Sequence, residues 1–337
     1  AGFDLSRFRT WYGQAGTPVV KIEKIEEDGS NAPRLRFTQS IAPTPGQSEK
    51  KPVPIPLRVS AFLEDGTEIN PETGEPRNNA DEDVVLLIDA VTELQLATEA
   101  SDALISANRD FSAPVKLQDE LTDEDRLKLV TLETDAFAKW EALQTVARKT
   151  LLEMAGKLAA GETATAPEGL VKAMAEAVRQ TVSDDPAFAS LLMTLPGVGE
   201  LFMEMSPADP AALYEAKRIV RIELLKELQS LIDETIEANL THEGEFTPDA
   251  ASAGRRAFYA SCVDLLSADG DKHSAKLLAS FRAAKNMTDT MSALRALSNV
   301  GGPDFDAAIS AFEAKWSHAP LVMDKWFGVQ ALQASDD

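Results

Sequence analysis

With 337 residues the chain is about twice a common domain length, so two domains, each large enough to bury a core, are expected. Its 33 lysines and arginines against 55 aspartates and glutamates give a net charge of -22, which works against nonspecific binding to nucleic acid or to an anionic membrane surface. The apolar runs are too short to span a bilayer and no signal-peptide pattern opens the chain, so a soluble protein is expected, and the single cysteine, Cys262, excludes an internal disulfide and fits a reducing, cytoplasmic compartment.

Phe8, Trp11 and Tyr12 open the sequence with no preceding element to cover them, and the first residue is Ala1. The sequence therefore reads as part of a longer chain, with residues 1–17 as a junction segment. Ten of the 18 prolines fall before residue 118, and the hydrophobic period there is two. Ile55, Leu57, Val59, Ala61 and Leu63 alternate with Pro56, Arg58, Ser60 and Phe62, which places one strand face on a core; Leu35 and Phe37 do the same between Arg34, Arg36 and Thr38. Val84 to Ile88 is an unbroken run, the pattern of a strand covered on both faces. Further strands are expected near Val19 to Ile25, Thr67 to Ile69, Leu94 to Leu96 and Ala103 to Ala107, about seven in all. Turns at Asp28-Gly29, Pro45-Gly46 and Asp65-Gly66 and a polar loop from Asn70 to Asn79 separate them, giving a small antiparallel, Ig-like β-sandwich over 18–118. Pro52, Pro54 and Pro56 cannot all donate to a central ladder, so the approach to the third strand is expected to be an edge or polyproline segment.

From 119 to 337 the period becomes 3.6. Trp140, Leu143, Ala147, Leu151, Met154 and Leu158 mark one face of a helix for which Asp135 is a suitable N-cap. Between Pro210 and Leu240 there are two stripes, one through Leu213, Val220, Leu224, Leu228 and Leu231 and another through Ile219, Ile222, Leu225, Ile232 and Ile236. So wide an apolar arc requires cover on two sides. Start signals at Thr122, Pro167, Asp185-Pro186, Thr247-Pro248, Thr288-Asp289, Pro303 and Pro320, and stops at Gly161, Gly270 and Gly301-Gly302, divide the region into ten or eleven helices. No fixed repeat length emerges, so an irregular all-α superhelix of armadillo or HEAT type is expected.

Catalytic chemistry is sparse. His242-Glu243-Gly244-Glu245-Phe246 starts like the zinc helix H-E-x-x-H, but Phe246 replaces the second imidazole, and the segment reads as a solvated loop. His273 is expected in an early helical turn and His318 just before Pro320, each as a surface or capping histidine, and Cys262 as a small core residue. Gly197-Val198-Gly199 is too short for a phosphate loop, and Glu223, Glu227, Asp233, Glu234 and Glu237 fall on a solvated helix face. No metal or cofactor is expected on this chain.

Four stretches resemble the bacterial aminopeptidase N family. Phe8 to Pro18 (F-R-T-W-Y-G-Q-A-G-T-P) is similar to the join between that family's catalytic domain and its sandwich, and Phe111 to Leu117 is similar to the segment that closes the sandwich. Asn286-Met287-Thr288-Asp289 and Val322-Met323-Asp324-Lys325-Trp326-Phe327 resemble stretches of the helical domain. The resemblance implies a zinc aminopeptidase whose metal ligands, general base and G-x-M-E-N motif lie outside these 337 residues. The implied partners are then the rest of the polypeptide, with its catalytic domain, and peptide substrates. Trp11, Tyr12, Asn286, Asp289 and Trp326 become interdomain or structural candidates, with no catalytic or metal-binding residue among them. The family chain continues further, so Leu321, Val322, Trp326 and Val329 are expected to form an exposed apolar face. A reading from another class is a free-standing helical scaffold that binds a partner through a concave surface.

Overall fold

The computed structural model describes residues 5–26, 33–77, 84–241 and 246–333. It divides into two compact units, Ala1–Leu143 and Gln144–Asp337.

The first unit begins with a single turn, α1 (Thr10–Gly13), and eight strands follow: β1 (Val19–Ile25), β2 (Arg34–Ser40), β3 (Ile55–Phe62), β4 (Glu68–Ile69), β5 (Val84–Leu87), β6 (Val91–Gln95), β7 (Leu104–Ala107) and β8 (Lys116–Gln118). They form two sheets, one ordered β6-β2-β1-β8, the other β4-β3-β5 with β7 also on β3. The expected all-antiparallel arrangement needs one correction, because β8 runs parallel to β1, with Val19 opposite Lys116. Elsewhere the pleat obeys the sequence: Ile22 lies opposite Phe37, and both are buried. They meet Ile55, Leu57, Val59 and Leu87 of the other sheet in one apolar core.

Two strands depart from expectation. β5 is not covered on both faces: Val84 and Leu86 are each 50% exposed. It lies at the end of its sheet with β3 as its neighbour, so only one face meets the core. β3 buries more than one face, since Ser60 and Phe62 are as inaccessible as Val59 and Ala61. The proline approach behaves as the missing donors require. Pro52 and Pro54 lie outside any strand, and Val53 between them is tied to the side chain of Gln39 instead. Its N–H donates to Gln39 Oε1 at 2.9 Å, while Gln39 Nε2 donates to the carbonyls of Val53 and Asp89.

Beyond the strands, residues 108–111 take a strained path: Asn108, Asp110 and Phe111 all have positive φ (59°, 54° and 47°). Asn108 Oδ1 accepts from Ala113 N, and Arg109 anchors the segment in a buried cluster. Its guanidinium donates to Glu68 Oε1 (2.7 Å), Glu133 Oε1 (2.9 Å) and Thr134 Oγ1 (2.7 Å). Helix α2 (Asp123–Leu132) starts with a reciprocal Thr122/Asp125 capping box. It is followed by α3 (Ala136–Ala159), capped as expected by Asp135.

In the second unit come α4 (Glu168–Thr181), α5 (Pro186–Leu192), α6 (Val198–Phe202), α7 (Pro210–Thr241), α8 (Ala250–Leu266), α9 (Ser274–Ala283), α10 (Met287–Val300), α11 (Gly302–Trp316) and α12 (Pro320–Ala331). From α2 onward the described residues thus form eleven helices. The double stripe of α7 has its cover, α4 on one side and α8 on another. Val220, Leu224, Leu225, Leu228, Ile232 and Ile236 are all buried. Helix α10 stops at Gly301, whose φ of 73° suits a glycine C-cap. The last helix is less exposed than expected. Leu321 is 84% exposed, but Val329 is buried and Trp326 Nε1 donates to Ile309 O of α11 at 3.1 Å, because α11 covers that side.

Candidate functional site

The second unit contains a groove of about 980 Å³. Four pieces of chain line it: the start of α5, the end of α7, the stretch from Phe246 through α8 to Tyr259, and the link from α9 to α10. Each is placed by local chemistry. Asp185 caps α5 by accepting from Phe188 N at 2.9 Å, and Asp249 caps α8 by accepting from Ser252 N at 2.9 Å. Thr247 beside Asp249, together with Ser252, holds the Asp249 carboxyl well below the usual carboxylate range. Gly254 lets α8 approach α5, for a Cβ there would meet Ala187 N at 3.3 Å. At the α9–α10 link, Asn286 Oδ1 accepts from Asp289 N (2.9 Å) and its Nδ2 donates to Asp289 Oδ2 (2.8 Å).

The groove is therefore apolar with charged groups of both signs. Alanines and the aromatic rings of Phe246, Phe258 and Tyr259 supply its apolar surface. Asp184, Asp185 and Asp289 face a comparable number of cations, Arg255, Arg256 and Lys285. Arg256 lies over the Phe246 ring, 4.5 Å from its centroid, and donates to Thr247 O. Tyr259 is buried, and that burial, with the nearby Asp289 charge, pushes its phenol pKa up. Asp289 is 5% exposed, and its Oδ1 has no hydrogen-bond partner among the described residues.

Of the residues singled out from the sequence, Asn286 and Asp289 meet in this groove. The others do not. Trp11 packs partly against the sandwich core and donates from Nε1 to Pro54 O at 2.9 Å, whereas Tyr12 is 84% exposed, its ring edge-on to Phe8. Trp326 belongs to the α11–α12 contact, its ring T-shaped to Phe327. Sequence reading did not single out Tyr259, Arg255 or the Asp185 cap as groove residues. The Asn-x-x-Asp spacing at 286–289 was the available signal, since it matches an N-cap with an acid at N3.

The remaining reactive side chains are dispersed. Cys262 is buried and its thiol is pushed up to about 12 by that burial, so it is no nucleophile at neutral pH. His273 occupies the position before α9, and burial pushes its imidazole pKa down. His318 does not cap α12: Ala319 holds that position without a side-chain bond, and the imidazole stacks on Trp316 with centroids 6.3 Å apart. His242 and Glu243 lie outside the described residues. Among the described residues no three His, Cys, Asp or Glu side chains could hold a metal ion, and no helix is long and apolar enough to cross a membrane.

Residues 123–337 match a family described as a domain of unknown function (DUF3458_C) with ARM repeats, and residues 16–120 match a domain of unknown function (DUF3458) with an Ig-like fold. Aminopeptidase N of Caulobacter vibrioides is 38% identical over 342 aligned residues, covering 100% of this chain and 37% of that protein. The Escherichia coli aminopeptidase N is 30% identical over 97% of this chain and 37% of its own length. The chain thus spans little more than a third of the curated relatives it matches. The crystal structure of Legionella pneumophila aminopeptidase A in complex with aspartic acid has the same fold over 99% of this chain and 38% of its own, with TM-score 0.76 and 22% identity.

Proposed function

Because the chain belongs to the DUF3458_C ARM-repeat family through residues 123–337, we propose that it is the non-catalytic portion of a zinc-dependent aminopeptidase that removes N-terminal residues from peptides in the cytoplasm. The observation that carries this reading is the pattern of coverage. The whole chain aligns with proteins named aminopeptidase N, yet it accounts for only 37% of each. In this reading residues 1–17 lead from the catalytic domain, 18–118 are a spacer, and 119–337 help to enclose the active-site chamber, so that only short or unfolded peptides enter. Trp11, seated on the sandwich through Pro54, would fix the start of the spacer. Trp326, bonded to α11, would fix the last helix.

The described residues do not fit a zinc site. In this reading metal ligation and the general base belong to polypeptide outside this chain. What this part supplies is enclosure and field. After residue 118 there are 36 acidic and 21 basic residues, a balance that raises the local concentration of cationic peptide N-termini at low ionic strength.

The test is to purify the 337-residue chain and measure its bound zinc and its release of N-terminal residues from aminoacyl anilides, with and without added zinc. Neither stoichiometric zinc nor turnover is expected, whereas the longer polypeptide should show both. Zinc and turnover on the chain alone would overturn the reading.

A further inference from the structure

Acids outnumber bases in the helical region, and cations there commonly stand beside carboxylates: Arg148 reaches Glu200 and Glu204, Arg218 reaches Glu215, and Lys276 reaches Asp233. One cavity of the second unit reverses that balance. It has a volume of about 350 Å³ and is formed where α8 packs on α7 and α10, and its lining residues include Lys217, Arg221 and Arg295 against one acid, Asp264. Arg221 engages that acid, donating to Asp264 Oδ2 at 2.7 Å and to the Asp264 carbonyl at 2.6 Å. Lys217 stands one turn before Arg221 on α7, so two like charges share a face and repel. Burial and the Arg221 charge push the Lys217 ammonium pKa down, against the pull of Asp264. Lys217 Nζ donates to Pro196 O at 2.7 Å and to no other acceptor among the described residues. Arg295, exposed on α10, makes no side-chain hydrogen bond or ion pair with any described residue. With Arg221 and Asp264 paired, Lys217 and Arg295 are the two charges left uncompensated.

We propose that this cavity binds a phosphoryl dianion, as inorganic phosphate or at the end of a small phosphomonoester, held by Lys217 and Arg295 with Arg221 beside them. A dianion matches the two uncompensated charges, whereas a monocarboxylate leaves one of them unmet. Arg295 carries the planar fork that suits phosphate oxygens, and Lys217 supplies a point charge with donors to spare. The Ser261 hydroxyl of α8, which donates to nothing among the described residues, is a neutral donor on the same lining. A negative ligand between α7 and α10 also relieves the repulsion between Lys217 and Arg221, so its binding is favoured over the empty cavity by charge as well as by hydrogen bonds. The volume is in the range of small-molecule sites. The inference stands on the charge balance of this cavity and is independent of the aminopeptidase reading.

The probes are sodium phosphate and glycerol 3-phosphate at about pH 8, where both are largely dianionic, with sodium acetate as the monoanion and sodium chloride holding the ionic strength constant. Each is titrated into the isotopically labelled 337-residue chain and followed by amide resonances of residues 193–195, 260–265 and 292–295. At least one dianion should saturate these shifts by about 20 mM, as a millimolar dissociation constant requires, and acetate should bind about tenfold more weakly or worse. Arg295→Gln removes an exposed, unpaired charge and should weaken the dianion about tenfold. Arg218→Gln removes the same charge next to Lys217 but outside the cavity, where Glu215 pairs with it, and should leave the affinity within about twofold. Tighter binding of inorganic phosphate would identify the free ion as the ligand, and tighter binding of glycerol 3-phosphate would identify an ester; both support the phosphoryl assignment. No saturation by either dianion, equal binding of acetate, or an Arg295→Gln effect no larger than that of Arg218→Gln would overturn it and reduce the cavity to a diffuse positive patch.

Discussion

In the sandwich unit Arg109, Glu68, Glu133 and Thr134 join segments that are up to 66 residues apart, and Gln39 bridges Val53 and Asp89 in the same manner. The helical unit has side-chain ties of its own, such as Arg221 to Asp264, but these are more exposed, and its buried contacts are mostly aliphatic stripes and close helix approaches such as Gly254 on Ala187. The difference follows from secondary structure. Helices satisfy their own backbone groups, so helix packing leaves the side chains free to be apolar. Short strands separated by long loops leave donors and acceptors that only polar side chains can reach.

The largest break in that comparison should come from Arg109→Met. It leaves Glu68 and Glu133 buried without their shared cation, and urea unfolding of the sandwich unit should show a loss of about 3–5 kcal/mol. The same cluster makes an acid-sensitivity prediction. Burial opposes ionisation of Glu68, but the Ser60 and Thr134 hydroxyls and Arg109 outweigh it and hold its pKa below the usual glutamate value. A lowered folded pKa means stability that is present above the ordinary range, about pH 4.3, and is lost as pH falls through the folded value. Native protein should therefore lose stability below about pH 4–5, and Arg109→Met should flatten that slope. A slope unchanged in the variant would show that other carboxylates dominate.

In the helical unit Gly254→Val should cost about 1–3 kcal/mol, because the new side chain must separate α8 from α5. Its loss should fall on the helical transition and spare the sandwich; a uniform shift of both would show that the two units unfold together. The smallest effect is expected at Tyr12→Ala, within about 0.5 kcal/mol, since the ring is largely in solvent. Trp11→Ala, which removes a partly buried ring and its bond to Pro54 O, should exceed it in the same thermal melt.

Much of this arrangement was legible in the residues. Alternation located β1 and β2 because one face of each is buried, and the double stripe of α7 announced two neighbours. The apolar run at Val84 to Leu87 misled because composition cannot tell an edge strand from a central one; only sheet order shows that Val84 and Leu86 have nothing stacked on them. The parallel pairing of β8 was equally hidden, for three residues carry no periodicity. The groove was legible only at Asn286 and Asp289. Its other walls come from stretches as far apart in sequence as Asp185 and Tyr259, and Tyr259 and Arg255 acquire meaning only once α8 lies between α5 and α10.

The sealed thiol of Cys262 gives the helical unit a built-in clock. As the one cysteine of the chain, fully inaccessible in the native state, it reacts with an alkylating reagent only when α8 opens, so labelling rates in native buffer report the opening frequency of that unit without any added probe.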